Sequence, residues 1–197
     1  MGKTVEFFFD VGSPTSYLAY KRLPAVAADT GATIAWRPML LGGVFKATGN
    51  ASPAAVPAKG RWMFEDIARW ARRYGVPYAP NPFFPVNTLV LMRGAAGVQM
   101  RRPDDFLRYC DAAFDAMWRT PRNLNDPATL AAMLADAGFE PEAMLALAAD
   151  PEVKARLVAT TEEAVARGVF GAPTMFVDGQ LFFGQDRLDF VREALLA

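Results

Sequence analysis

The chain contains no histidine and only one cysteine, Cys110, among its 197 residues. Without histidine it lacks the usual proton shuttle near neutral pH, a Ser-His-Asp triad and most kinds of zinc site. A single cysteine excludes both an internal disulfide and a Cys-X-X-Cys redox pair. Any chemistry must therefore use hydroxyls, carboxylates, lysine, backbone dipoles or a group that a ligand supplies, and we expect no metal site.

The chain also lacks an excess of charge and a long apolar run. Its 21 basic and 21 acidic residues cancel, so we expect neither a nucleic-acid partner nor a membrane partner. No apolar stretch approaches the roughly 20 residues that span a bilayer. The start, MGKTVEFFFD, lacks the layout of a secretory signal. We therefore expect a soluble cytoplasmic protein, with one domain or one domain that carries a large insertion.

The start of the chain shows the pattern of a strand, a helix and a second strand. The run VEFFF is short and mostly apolar, as is typical of a buried strand. Apolar residues from Tyr17 to Val26 indicate a helix that ends before Gly31. The segment ATIAWRPM then predicts a strand that stops at Pro38. This is a βαβ opening.

The middle of the chain is predicted to be a loop followed by several helices. Residues 49–60 are rich in Gly, Pro, Ser and Ala, which is typical of a loop. Large apolar side chains then recur at spacings of four, three and four residues, as on one face of a helix: Met63, Ile67, Trp70 and Tyr74. Further helical patterns follow, up to about Gly168.

The end of the chain returns to strands. The segments APTMFV and QLFF are joined by Asp178-Gly179, which is a strong signal for a β-hairpin, and a helix follows them. The whole order is βαβ, then helices, then ββα. It predicts an α/β protein with a thioredoxin-like core, formed by residues 1–45 and 168–197 and interrupted by an all-helical insertion at residues 46–167.

Two kinds of residue that often carry chemistry have simpler interpretations here. Cys110 is in helical step with Phe106 and Phe114, so burial as a small apolar residue is favoured over a reactive thiol. Trp62 and Trp70 are predicted to pack in the core or the insertion, and a ligand platform is the alternative.

Ser13 and Pro173 are the strongest candidates for a site. Ser13 precedes Pro14, which is the usual arrangement of a helix N-cap. A helix N-terminus also attracts anions and stabilises thiolates, and here the thiolate would have to arrive on a ligand. Pro173 is either a strand-entry proline or a cis-proline beside the site. The predicted topology favours the second interpretation, because it places this loop opposite the start of the first helix.

Five segments, in this order along the chain, resemble those of the 2-hydroxychromene-2-carboxylate isomerases: FFFDVGSPTSYLAY, FKATGN, FPVNTL, FGAPTMFVDG and FFGQDRLDFV. That family is similar to the kappa-class glutathione transferases and the DsbA-like thioredoxin folds. The resemblance implies glutathione as the cofactor, an aromatic carboxylate as the substrate and a homodimer. It further implies that the glutathione thiolate adds reversibly to a hydroxychromene carboxylate, so that the ring opens, a bond rotates and elimination gives the trans-benzylidenepyruvate.

The resemblance also implies roles for individual residues. Ser13 would contact the glutathione sulfur, at the position where oxidoreductase relatives begin a Cys-X-X-Cys pair. The main chain of Ala172, before Pro173, would bind the peptide backbone of glutathione. The γ-glutamyl end would be held by Phe183, Gly184, Gln185 and Asp186. On the substrate side the candidates are Lys46, Asn50 and Asn87.

Alternatives remain open for both the residues and the function. Lys46 is equally consistent with a solvated loop lysine, and Asn50 and Asn87 with helix caps. The protein is also consistent with a kappa-like glutathione transferase or peroxidase, or with a non-catalytic glutathione-binding protein. A dithiol-disulfide oxidoreductase is excluded, because Cys110 is alone.

Overall fold

A computed structural model describes residues 2–197, which contain four strands and nine α-helices. The strands are β1 (Thr4–Phe9), β2 (Thr33–Pro38), β3 (Thr174–Val177) and β4 (Gln180–Phe183). The helices are α1 (Pro14–Thr30), α2 (Leu41–Thr48), α3 (Pro57–Tyr74), α4 (Leu89–Arg101), α5 (Phe106–Trp118), α6 (Pro127–Asp136), α7 (Pro141–Ala149), α8 (Pro151–Ala166) and α9 (Leu188–Leu196).

The four strands form one mixed sheet in the order β2-β1-β3-β4. β1 and β2 are parallel, in a register that pairs Thr4 with Thr33, whereas β3 is antiparallel to both β1 and β4. The parallel pair is connected through α1, as the βαβ pattern at the start of the chain predicts. The predicted α/β fold with a thioredoxin-like core is therefore confirmed.

The sheet is covered on both faces, which explains why β1 is almost continuously apolar. Phe7 and Phe9 point into the large core that contains residues of α1 and α5. Phe8 points to the opposite face, where it packs in a smaller core with Ala164 of α8. Adjacent residues of a strand point to opposite faces, so every side chain from Phe7 to Phe9 is buried.

The hairpin signal near the end of the chain is confirmed. Asp178 and Gly179 connect β3 to β4 with φ angles of 48° and 81°. Positive φ at both central residues is what a tight two-residue hairpin turn with matching twist requires, and Asp-Gly adopts it readily. β3 is buried along its whole length, because Met175 and Val177 lie in the large core and Phe176 lies in the smaller core on the other face.

Two predictions about the region around α3 are wrong. Residues 49–60 are not one loop, because a 3-10 turn occupies Pro53–Ala55 and α3 already begins at Pro57. Proline is favoured in the first turn of a helix, so Pro57 starts the helix. Trp62 is 62% exposed and does not pack in the core. It precedes Met63 by one residue, and this places it about 100° away from the face that α3 buries.

The segment between β2 and β3 is helical, as predicted. Its core contains Cys110, which is fully buried, so the prediction of a structural cysteine is confirmed.

α2 runs across the predicted boundary between residues 45 and 46, and α8 packs on the sheet through Ala164. The division into two domains stays a prediction. In the part of the chain that the structure describes, no helix combines the length and the apolar character needed to cross a membrane.

Candidate active site

Ser13 lies at the N-terminus of α1 and is almost completely buried. Its Oγ accepts a hydrogen bond of 3.1 Å from the N–H of Ser16, which makes it the N-cap of the helix. Its own N–H donates to the carbonyl oxygen of Asp10 at 3.0 Å, so the turn between β1 and α1 is closed from both sides. The predicted cap is therefore confirmed.

The Ser13 hydroxyl also reaches a distant part of the chain. It donates to the carbonyl oxygen of Ala172 at 2.9 Å. Thr15 Oγ1 lies 2.9 Å from Ser13 Oγ and donates to the same carbonyl oxygen at 3.1 Å. Two hydroxyls thus converge on Ala172, directly before Pro173. Hydroxyl hydrogens rotate freely, so both hydroxyls are able to turn toward a ligand.

The loop around Pro173 is held by its neighbours on both sides. The peptide bond between Ala172 and Pro173 is cis. The carbonyl oxygen of Pro173 accepts a hydrogen bond of 3.0 Å from the N–H of Gly184. Before the loop, the ring of Phe170 packs against that of Phe183, with centroids 4.5 Å apart. Both rings are partly exposed, and the Phe183 ring lies against Gly171, directly before Ala172.

The chain bends sharply directly after β4, at three of the predicted residues, while the fourth, Phe183, is the last residue of β4. Gly184 has a φ of 103°, a conformation that side chains rarely adopt, and a Cβ there would lie 2.5 Å from Asp186 Oδ1. Gln185 is buried, and its carbonyl oxygen accepts a hydrogen bond of 2.7 Å from the Tyr74 hydroxyl. Asp186 forms an ion pair of 2.8 Å with Arg187. A carboxylate and a guanidinium therefore stand side by side before α9.

Asp10, which the sequence interpretation did not select, is the polar centre beneath this site. Its side chain is 1% exposed. Oδ1 accepts a hydrogen bond from the N–H of Gly12 at 2.8 Å, and Oδ2 accepts from the N–H of Leu41 at 2.8 Å and from Thr88 Oγ1 at 3.0 Å. One carboxyl group thus connects the Ser13 turn to the first residue of α2 and to the residue directly before α4.

The environment of Asp10 acts on its pKa in two directions. Burial raises the pKa of Asp10 above its ordinary value, and the hydrogen bonds from Gly12, Leu41 and Thr88 oppose the rise. Burial disfavours the charged carboxylate, whereas the three donors stabilise it. The first effect is larger, so the net shift of the Asp10 pKa is upward.

The three predicted substrate-side residues lie around α2 and α4. Lys46 is exposed on α2. The side-chain amide of Asn50 donates to the carbonyl oxygen of Phe170 at 2.8 Å, so it ties the end of α2 to the loop before Ala172. Asn87 is exposed, and its Oδ1 accepts from the N–H of Leu89 at 3.1 Å at the start of α4. Asn50 is thus connected to the Ala172 loop, whereas the Asn87 side chain makes a local contact and its N–H donates to Asn125 Oδ1 at 3.0 Å.

Thr15 and Asp10 are the site residues that sequence interpretation missed. Thr15 lies in the segment Ser13-Pro14-Thr15-Ser16, but only Ser13 was selected there as a functional candidate. The signal for Asp10 was its position at the end of a buried strand, directly before a turn that contains a glycine. Its bonds with Leu41 and Thr88 join residues 31 and 78 positions away, and local sequence does not reveal such pairs.

The arrangement is suited to an anion. The first turn of α1 carries no acidic side chain, and the free N–H groups and the helix dipole make this end positive. The protein itself offers no thiolate, because burial raises the pKa of Cys110 well above its ordinary value. Among the described residues, nothing accepts a hydrogen bond from the Ala172 N–H, so a donor remains free beside the two hydroxyls.

Comparison with known proteins gives matches along nearly the whole chain. The sequence profile of the DSBA-like thioredoxin domain matches residues 4–196. The chain is 35% identical over 198 residues to the 2-hydroxychromene-2-carboxylate isomerase of Sphingobium xenophagum, with 100% of both chains covered. It is 30% identical over 205 residues to glutathione S-transferase kappa 1 of Homo sapiens, with 98% of this chain and 91% of that protein covered.

A solved structure gives the same result. The structure of a 2-hydroxychromene-2-carboxylate isomerase superposes on this chain with a TM-score of 0.85 at 28% identity. The superposition covers 98% of this chain and 94% of that chain, so it includes the sheet and the helical segment together. The chain therefore belongs to the DSBA-like thioredoxin family, in the group that contains the 2-hydroxychromene-2-carboxylate isomerases and the kappa glutathione S-transferases.

Proposed function

We propose that the protein is a glutathione-dependent isomerase that interconverts 2-hydroxychromene-2-carboxylate, or a related aromatic-catabolism intermediate, with its trans-benzylidenepyruvate form. The observation that carries the proposal is the buried Ser13 hydroxyl, which lies at the positive end of α1 and within 2.9 Å of the Ala172 carbonyl oxygen. The 35% identity with a 2-hydroxychromene-2-carboxylate isomerase over the full chain supports this choice of reaction.

The residues around Ser13 fit the chemistry of glutathione. The free N–H of Ala172 and its carbonyl oxygen suit the peptide backbone of a bound peptide, which pairs as a strand would. Beyond Gly184, Asp186 and Arg187 present opposite charges, and these match an α-ammonium and an α-carboxylate at the γ-glutamyl end. Gln185 and Phe183 complete that end, with Phe183 as an apolar wall against Phe170.

Bound glutathione would supply the nucleophilic sulfur that this chain lacks. Ser13 continues to cap α1 through its lone pair while its hydroxyl hydrogen turns from Ala172 toward the anion. The N-terminus of α1 lowers the pKa of a thiol beside it, because its N–H groups and dipole favour the thiolate. Thr15 donates to the Ala172 carbonyl oxygen and keeps the loop in place when the Ser13 hydroxyl turns away.

On the substrate side, Lys46 is assigned to bind the carboxylate or polarise a carbonyl group of the substrate. The exposed ammonium has no ion-pair partner in the described part of the chain, so it is free to meet an anion. Asn50 is assigned to the same side, where it also fixes the Phe170 loop. Asn87 is assigned a weaker contact, because its amide oxygen already caps α4.

The test is the rate of 2-hydroxychromene-2-carboxylate isomerisation, followed by absorbance with and without glutathione. We expect turnover that requires glutathione and falls by about 10²- to 10³-fold in Ser13→Ala, the range seen when one donor to a developing anion is removed. Ser52→Ala is the matched control, because Ser52 also precedes a proline and caps a turn through its side chain. It is expected to retain full activity.

Two results would contradict the proposal. One is isomerisation that proceeds equally well without glutathione. The other is a Ser13→Ala protein that is folded by circular dichroism and as active as Ser52→Ala. Loss of glutathione binding in Ser13→Ala, measured by calorimetry, would assign the effect to the cofactor site.

The second candidate function is a kappa-like glutathione transferase, which the 30% identity with the human kappa enzyme favours. The two activities differ in the fate of glutathione. An isomerase returns its glutathione after every turnover, whereas a transferase consumes one molecule for each product. Titration of free thiol during the reaction distinguishes them. Calorimetric binding of glutathione without turnover of either substrate type would instead support a non-catalytic binding protein.

A further inference from the structure

A cavity of about 450 Å³ lies between α2, α4 and α8. Small-molecule sites in proteins commonly have volumes of about 300–1,000 Å³. The walls are mostly apolar and include Leu40 of the β2–α2 connection, Leu89 of α4, and Leu157 and Val158 of α8. The cavity is therefore large enough for a small organic molecule and apolar enough to bind its hydrophobic body.

The three helices around the cavity are held in place by an ion pair and a hydrogen bond. Arg101 at the end of α4 pairs with Glu152 at the start of α8, so α4 and α8 run in opposite directions. At the other end, the N–H of Leu40 donates to Thr161 Oγ1 at 3.0 Å. That hydroxyl also donates to the Leu157 carbonyl oxygen at 2.7 Å, so its single hydrogen is already used by the protein.

Three charged residues remain along the cavity. Arg93 of α4 and Lys154 of α8 are half-buried cations, and Glu162 of α8 is an exposed acid. Within the described residues, none of the three forms an ion pair with another side chain. Half-buried charges without partners are costly, and an ion of opposite charge relieves the cost. Two cations and one acid give the cavity a net charge that matches a monoanion.

We propose that this cavity is a second binding site, which takes an aromatic monocarboxylate. The aromatic body lies against the leucines, and the carboxylate meets Arg93 and Lys154. Arginine is suited to this role because its planar guanidinium binds a carboxylate through two parallel hydrogen bonds. The inference does not depend on the reaction proposed for Ser13.

The cavity is built from different residues than the Ser13 site. None of its described lining residues donates or accepts a hydrogen bond at Ser13, Thr15 or Ala172. Two sets of contacts connect the sites. Asn87, a substrate-side candidate, accepts a hydrogen bond from the N–H of Leu89, which lines the cavity. Asp10 binds the N–H of Leu41 and the hydroxyl of Thr88, and each of these residues directly precedes or follows a residue that lines the cavity.

The experiment is calorimetric titration of the protein with 1-naphthoate and with 1-naphthamide, its uncharged analogue. We expect 1-naphthoate to bind about tenfold more tightly than 1-naphthamide, because one charge-assisted contact is worth about a factor of ten. Arg93→Met should bind 1-naphthoate about tenfold more weakly than the native protein does, and its affinity for 1-naphthamide should be unchanged. Arg156→Met is the matched control, because Arg156 is an exposed cation of α8 that does not line the cavity.

A second pair of variants tests the volume of the cavity rather than its charge. Val158→Trp places a large side chain at the cavity, whereas Ala155→Trp places it on α8 outside the lining. Only Val158→Trp should weaken 1-naphthoate binding, by about tenfold or more. Saturating glutathione should leave this binding unchanged, whether or not the protein isomerises chromenes.

Three outcomes would overturn the proposal. The first is 1-naphthoate affinity that is equal in the native protein, Arg93→Met and Val158→Trp. The second is 1-naphthoate binding that glutathione abolishes, which would place it at Ser13. The third is absence of binding together with a dimer that Val158→Trp dissociates in sedimentation experiments, because a second copy of the chain would then cover the cavity.

Discussion

Replacing Asp10 with alanine removes the acceptor of three hydrogen bonds at once. The donors are the N–H groups of Gly12 and Leu41 and the hydroxyl of Thr88. A buried donor that loses its partner costs about 1–3 kcal/mol. We therefore expect Asp10→Ala to lower the free energy of unfolding by about 3–9 kcal/mol, a large part of the roughly 5–15 kcal/mol that stabilises a typical domain.

Two milder variants are expected to lower the free energy of unfolding by smaller amounts. Thr88→Val removes one donor and leaves the two backbone bonds, so we expect a loss of about 1.5–3 kcal/mol for one bond to a charged group. Asp10→Asn keeps one oxygen but points an amide NH₂ at one of the backbone donors, with an expected loss of about 1–3 kcal/mol. Urea unfolding, followed by circular dichroism, measures the free energy of unfolding of all three variants. An Asp10→Ala protein within 1 kcal/mol of the native one, by the same linear extrapolation, would refute the assignment of Asp10 as the centre of the site.

The pH dependence of the same measurement tests the ionisation of Asp10. Because burial raises its pKa in the folded protein above 3.8, the folded protein holds this proton more tightly than the unfolded chain. The contribution of Asp10 to the free energy of unfolding therefore falls as the pH rises from 3.8 through the folded pKa. Asparagine does not titrate, so the stability difference between the native protein and Asp10→Asn should shrink over this window. A difference that grows with pH would contradict the raised pKa.

Two further predictions concern the turn before α1. In Ser13→Cys the new thiol should have a pKa below the ordinary value and react with iodoacetamide near neutral pH, whereas buried Cys110 should not react; equal reaction rates of variant and native protein would contradict this. Gly12→Ala should lower the free energy of unfolding by about 1–3 kcal/mol, because its Cβ would lie 2.8 Å from the Thr88 methyl. Gly42→Ala, with open space around it, is the control and should be neutral or stabilising in urea unfolding.

The sequence allowed the fold to be predicted where the relevant physics is local. The apolar run of β1 and the Asp178-Gly179 turn depend on neighbours within a few residues, and both are confirmed. The start of α3 was missed because the composition of residues 49–60 suggested a loop, whereas Pro57 favours a helix start. The residue type of Trp62 predicts packing in the core or the insertion, but its helical position points it away from the buried face.

The site could be predicted only in part from the sequence, because its contacts join segments that are far apart along the chain. The hydrogen bond between Ser13 and Ala172 spans 159 residues, and the Asp10–Thr88 bond spans 78. Ser13 and Ala172 were selected through the predicted topology and the family resemblance, whereas Asp10 has no signal of comparable strength. The cavity between α2, α4 and α8 also collects residues from three distant helices. Its existence follows from packing, which periodicity within one helix does not determine.

Ser13 and Ser52 show how the same local sequence acquires different roles. Each serine precedes a proline and accepts a hydrogen bond from a nearby backbone N–H, so both satisfy the requirements of a cap. Ser13 differs because α1 is long, because its hydroxyl reaches the Ala172 carbonyl oxygen, and because Asp10 anchors its turn from below. Ser52 caps a three-residue 3-10 turn and makes no comparable contact among the described residues. Capping is common to both serines. If only Ser13→Ala loses activity, the loss must therefore come from the distant contacts of Ser13 and from its position at the N-terminus of α1.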